Sequence, residues 1–146
     1  MARSQGTTVI VEHLFKPLPV RHKEFLKHHK REFAKCIDLI HAYALNTLGI
    51  RIQCVHINSK GEGSTLFQTS TSRVLTDHLA LLFGTSFVKS LIPFDFSKIE
   101  LDDHQQEMIT NISGYISKPI LECGASNSDK QFFFLNQRPG DFPKVL

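Results

Sequence analysis

The chain has 146 residues, of which 41% are apolar, 10% aromatic and 21% charged, with a formal net charge of +3. That length fits one domain, and a domain of this size buries roughly 68–70% of the surface its unfolded chain exposes. Twelve Phe supply core material, which excludes a chain that stays unfolded for lack of apolar surface.

In chain order, residues 6–15 (GTTVIVEHLF) are rich in β-branched side chains and stop before Pro17 and Pro19, so they are predicted to form a strand. A short helix is expected from about Val20. A longer one follows, with Phe33, Ile37, Ile40, Ala44 and Leu48 on one stripe and Gly49 as its stop. Residues 50–58 alternate apolar and polar, Ser59-Lys60-Gly61-Glu62-Gly63 offers turn residues, and residues 64–69 complete a predicted β-hairpin. Ser72 is placed to cap a helix over residues 73–83, carrying Leu75, Leu79 and Leu82 on one side and closed by Gly84. A strand is expected within residues 87–96. An exposed acidic loop around Glu100, Asp102, Asp103 and Glu107 follows, then strands over 108–117 and 130–135 flanking the Gly/Ser/Asn-rich stretch 123–128. The Phe132-Phe133-Phe134 run is expected to be buried on both faces of its strand. This order suits an α+β two-layer sandwich, a mixed sheet with helices on one face.

The apolar runs are broken at Gly84, Lys89 and Pro93, short of the roughly 20 residues a membrane helix needs, so a soluble chain without membrane contact is expected. Residues 1–6 show neither a signal nor a transit pattern, which points to cytosol or nucleus. Cys36, Cys54 and Cys123 are odd in number and lack the paired spacing of a zinc site. They are expected to be reduced thiols packed as small hydrophobes.

No phosphate-binding glycine loop, dinucleotide fingerprint, zinc-binding histidine pattern or nucleophile elbow occurs in the sequence. The charge, in contrast, is unevenly placed. Residues 1–35 hold eight Lys or Arg against three Glu, and the remainder nine against eleven acidic residues. Lys16, Arg21, Lys23, Lys27, Lys30, Arg31 and Lys35 crowd one segment with His22, His28 and His29, opposed by Glu24 and Glu32. Such a cluster suits a phosphate backbone. A solvated helix face is the alternative. Arg138, at the end of the Phe-rich strand, is a second candidate because cations at strand ends can meet phosphate. It is expected at the exposed end of a central strand.

Three blocks then carry a family resemblance. Gly6-Thr7-Thr8-Val9 resembles the G-T-x-V motif that closes the ATP-binding domain of the MutL DNA mismatch-repair proteins, which are GHKL ATPases. Leu14-Phe15 with Pro19-Val20-Arg21-His22-Lys23-Glu24-Phe25 resembles the family's L-F-x-x-x-P-x-R-x-K-F block, and residues 130–139 resemble its F-x-N-x-R-P strand and turn. The fuller strings are most similar to the eukaryotic post-meiotic-segregation branch.

The resemblance implies that residues 1–146 are a single transducer domain, a fragment of a longer nuclear protein. The family's catalytic Glu, magnesium-binding Asn and ATP lid would precede Gly6, and its H-P-x-K lysine would follow Leu146. It also implies a ribosomal-protein-like fold with a left-handed βαβ unit. Thr7 would correspond to a nucleotide-site residue of the parent. ATP and magnesium would be cofactors of that parent and not of this stretch, which is expected to have no catalytic or metal site of its own. Expected partners are DNA, single- or double-stranded without sequence specificity, and a MutL-homologue heterodimer partner in the parent. The DNA-binding candidates are Arg21, Lys23, Lys27, Lys30 and Arg31 by charge, and Arg138 by match to the N-x-R turn. A protein-interaction module without nucleic-acid binding is the competing reading.

Overall fold

A computed structural model describes residues 5–96, 111–120 and 130–140. The chain divides into two compact units, residues 1–40 and 41–146. The long helix α1, Pro19–Asn46, runs through both. A proline suits the first turn of a helix, where its missing N–H would have no partner. In the second unit, β1 (Gln53–Ile57) pairs antiparallel with β2 (Gly63–Gln68). They are followed by α2 (Leu75–Phe83), α3 (Thr85–Lys89) and β3 (Leu91–Asp95), the last paired antiparallel with β4 (Ser113–Ser117). Finally β5 (Phe133–Leu135) pairs antiparallel with β6 (Arg138–Gly140). The architecture is α+β. No helix among the described residues is long and apolar enough to cross a membrane.

The first hairpin follows from its turn chemistry. The Asn58 side-chain oxygen accepts from the backbone N–H of Lys60 at 2.9 Å and of Glu62 at 3.0 Å. Gly61 takes the left-handed conformation, φ 82°, which glycine adopts at little cost. At the far end Thr69 continues the pairing. Its N–H donates to the Ile52 carbonyl, while its hydroxyl accepts from the Ile52 N–H at 2.8 Å and donates to the Ile50 carbonyl at 3.2 Å.

The core of the second unit gathers Ala44, Leu45, Phe67 and Leu79, with Thr69 and His78 as the buried polar members. His41 lies between the rings of Phe67 and Phe83, at centroid distances of 4.7 and 5.5 Å. Phe83 in turn contacts Phe87 and stacks on Phe132. His78 is completely buried, with Nδ1 and Nε2 each 3.0 Å from a carbonyl oxygen, those of Ala44 and Ser72. The Ala44 carbonyl belongs to the last turn of α1, where no intrahelical N–H remains to meet it. His78 therefore closes the end of one helix from the first turns of another.

Several expectations are corrected. Residues 6–12 form no strand, and Val9, Ile10 and Val11 are 74–81% exposed. β-branched composition favours a pleated, half-buried surface but supplies no partner strand. His13 and Phe15 in the following turn adopt positive φ, which ends any extended run. The paired strands among the described residues form three two-stranded antiparallel sheets. The stripe of the longer helix is only partly buried: Ala44 is buried and Ile37 and Ile40 are half-buried, Phe33 is exposed, and Leu48 lies beyond the end of α1 and is exposed. Ser72 is not the helix cap. α2 starts two residues later than expected, and the Ser72 hydroxyl accepts from the Val74 N–H and donates to Asp77 at 2.6 Å. The strand expected within residues 87–96 is present as β3, with the short helix α3 preceding it. Phe132 and Phe133 are half-buried and Phe134 is exposed, because the hairpin that carries them covers one face. Cys36 is exposed instead of packed. Cys123, the acidic loop and the 123–128 stretch lie outside the described residues.

The buried imidazole gives a direct test. His78→Ala should lower stability by about 2–4 kcal/mol, combining a cavity with a buried carbonyl left without its donor. Phe134→Ala should cost clearly less than the 3–5 kcal/mol of a fully buried Phe. Urea unfolding monitored by circular dichroism ranks the two, and equal midpoints would contradict this account of the core.

Candidate nucleic-acid interface

The first unit presents the basic segment on α1. Phe15 packs edge-on against Phe25, ring centroids 5.8 Å apart, and so fastens the chain entering the helix to its second turn. Arg21, Lys23, Lys27, Lys30, Arg31 and Lys35 are all exposed. Lys23 and Lys27 are four residues apart, as are Arg31 and Lys35, so each pair shares a helix face.

The helix changes course between the two pairs. His28 leaves helical geometry at φ −113°, ψ 16°, and the next ring donates from His29 Nδ1 to the Leu26 carbonyl at 2.9 Å. A side chain that inserts into the ladder of backbone bonds is one of the few causes of a sharp kink. With no Pro or Gly nearby, it accounts for this one. The short and long helices read from the sequence are the two arms of this kinked helix.

Glu32 divides the cations further. Its Oε1 accepts from Arg31 Nε at 3.2 Å and from Lys35 Nζ at 3.4 Å. Arg21, Lys23, Lys27 and Lys30 make no ion pair among the described residues. Desolvation pushes the Glu32 carboxyl up. The hydrogen bonds and charges of Arg31 and Lys35 outweigh it and hold the group below its ordinary value of 4.5.

In the second unit, Arg138 opens β6 directly after a two-residue turn, paired with Leu135. Asn136 and Gln137 have φ of 48° and 62°, the two positive values that a mirror-image hairpin turn requires. Asn46, the last residue of α1, donates from its side chain to the Gln137 carbonyl. Arg138 is exposed, but among the described residues it begins a strand of a two-stranded hairpin and does not end a central strand. Beside this hairpin Lys130 Nζ lies 4.9 Å from the Phe87 ring centre and 5.5 Å from that of Phe83, within cation–π range. Thr7 is exposed in the irregular segment before α1. Among the described residues no three His, Cys, Asp or Glu side chains gather as a metal site.

Sequence reasoning found the cations but not the groups that arrange them. The Arg31–Glu32–Lys35 spacing was open to inspection as neighbours and an i,i+3 pair. Asn46 and Gln137 are 91 residues apart and gave no signal.

These features define an α+β chain with a kinked cationic helix in one unit and an exposed, turn-mounted arginine in the other. No family model matches the chain. It is 38% identical over 152 residues to the mismatch repair endonuclease PMS2 of Homo sapiens, covering 98% of this chain and 18% of that protein. It is also 38% identical over 144 residues to the DNA mismatch repair protein PMS1 of Arabidopsis thaliana, covering 99% of this chain and 15% of that protein. The crystal structure of the N-terminal domain of a DNA repair protein superposes with a TM-score of 0.74 at 28% identity, covering 88% of this chain and 39% of that one. The chain belongs to the MutL family of DNA mismatch-repair proteins, matching its eukaryotic PMS branch. It spans less than a fifth of the length of these curated relatives.

The ion-pair geometry predicts a pH dependence. A carboxyl whose folded value is lowered stabilises the fold fully above its unfolded value and loses that contribution as pH falls through the lowered one. The stability difference between the native chain and Glu32→Gln should therefore be full above about pH 4.5 and fade on acidification below it. Thermal unfolding across that range measures it, and a difference that grows on acidification would refute the pairing.

Proposed function

We propose that the chain is the transducer module of a MutL-like mismatch-repair protein, contributing DNA binding and relaying the ATP state of a neighbouring ATPase domain. The carrying observation is the row of exposed cations on α1, four of them without an ion pair among the described residues. Phosphate contacts of this kind hold a nucleic acid without reading bases, so DNA of either strandedness is the partner. Arg21, Lys23, Lys27 and Lys30 are the contacting residues of the first unit and Arg138 that of the second, while the sequence candidate Arg31 is paired with Glu32. Family membership supports the finer reading. In it, residues 1–146 form a single domain of a longer nuclear protein, folded as a ribosomal-protein-like two-layer sandwich with a left-handed βαβ unit. Its heterodimer partner is another MutL homologue.

Catalysis is not assigned to this stretch. A nucleotide site needs several backbone N–H groups around the phosphates and a side chain for magnesium. Thr7 offers one exposed hydroxyl, so the described residues do not by themselves make such a site, and ATP and magnesium belong to the parent in this reading. The chain alone should give no magnesium-dependent ATP turnover. Turnover abolished by a point substitution in this chain would overturn that assignment.

A protein-interaction module is the second reading, favoured by the exposure of Val9, Ile10 and Val11. Salt dependence separates the two. With three to five phosphate contacts, the logarithmic salt slope on single strands should be about −2 to −3.5, and affinity should fall roughly twenty- to a hundred-fold between 50 and 200 mM salt. Arg138→Glu should weaken binding and leave stability within about 0.5 kcal/mol. A flat salt titration, or unchanged affinity after Lys27→Glu with Lys30→Glu, would favour the interaction module.

A further inference from the structure

The six cations on α1 are not equivalent. Four lack an ion pair among the described residues, while Arg31 and Lys35 both donate to a single carboxylate oxygen of Glu32. Both cationic side chains are largely exposed, at 63% and 65%, so they are held by that carboxylate and not by packing. Exposed pairs of this kind are worth at most about 1 kcal/mol, so another anion can displace the carboxylate. Glu24 has no such pair among the described residues, although it lies on the same helix.

We propose that Glu32 is a built-in competitor for phosphate: it occupies Arg31 and Lys35 and so limits the DNA-binding face of α1 to Arg21, Lys23, Lys27 and Lys30. This rests on the nucleic-acid reading above and deepens it. Four engaged cations correspond to a slope near −2.8 on single strands, and release of two more would carry it to about −4.2. Glu32 thereby keeps the affinity low enough for the strand to be released as well as held. Arg31 and Lys35 form a reserve, recruited when the carboxylate is neutralised.

The test uses this chain and a single-stranded homopolymeric oligonucleotide, with the salt slope as readout. Glu32→Gln keeps size and helix preference. It should steepen the slope by about 1.4 and raise affinity at 50 mM salt by at least about threefold. Glu24→Gln removes the same charge from the same helix and should move the slope by less than about 0.3. Arg31→Gln with Lys35→Gln should cost less than about twofold in the native chain, yet abolish the gain in the Glu32→Gln background. Circular dichroism verifies that each variant keeps its helix. Equal effects of Glu24→Gln and Glu32→Gln, or a large loss from the Arg31 and Lys35 pair in the native chain, would overturn the proposal while leaving DNA binding intact. A native chain that does not bind the strand at 50 mM salt overturns the functional reading and this proposal together.

Discussion

The end of α1 is the constraint on which the second unit depends. A helix cannot satisfy its last carbonyls from within. Here the Ala44 carbonyl meets a histidine from α2, 34 residues further along the chain. The same ring faces the Ser72 carbonyl, which also accepts from Gly49 N–H just beyond the helix. One buried side chain therefore fixes the helix end, the chain leaving it and the approach to α2. Thr69 extends the arrangement by tying the end of β2 to residues 50 and 52. Asn46 extends it further by holding the turn before Arg138. Hydrophobic burial at Ala44, Leu45, Phe67 and Leu79 supplies the cohesion. Burial selects which face turns inward, and these directional hydrogen bonds fix which backbone groups meet.

What was legible in the sequence was local. The hairpin of β1 and β2 was readable because Asn58 and Gly61 impose a turn whatever surrounds them. α2 was readable from its leucine spacing and Gly84, and the two arms of α1 from the proline at their start and the periodicity beyond His28. What failed needed a partner remote in sequence. Residues 6–15 have the composition of a strand, yet pairing cannot be read from composition. Three consecutive aromatic residues suggest a strand buried on both faces, but a two-stranded hairpin has one covered face only. The cap at Ser72 failed by two residues, since its hydroxyl is used by the turn before the helix and by Asp77.

The candidate site divides in the same way. The cationic residues could be counted in the sequence, and the motif blocks around Thr7, Arg21 and Arg138 pointed to the MutL family, which relatives 38% identical across nearly the whole chain bear out. The arrangement of those cations could not be counted. His29 sets the kink through a bond to Leu26, and Glu32 occupies two of the positive charges. Surface electrostatics follow from which neighbours a flexible side chain selects, and composition does not encode that selection.

Geometry also bounds what the basic helix can do. Between Arg21 and Lys35 a straight helix would advance about 21 Å at 1.5 Å per residue. Duplex DNA carries one charge per about 1.7 Å of axis, so phosphates far outnumber cations along that length. In the proposed reading, the two short arms on either side of His28 meet only a few phosphates each. Affinity drawn from so few contacts is modest and fades steeply with salt. In the proposed nucleic-acid reading, such a helix works beside other binding surfaces: a second linked contact acts at high effective concentration and multiplies a weak one without new chemistry.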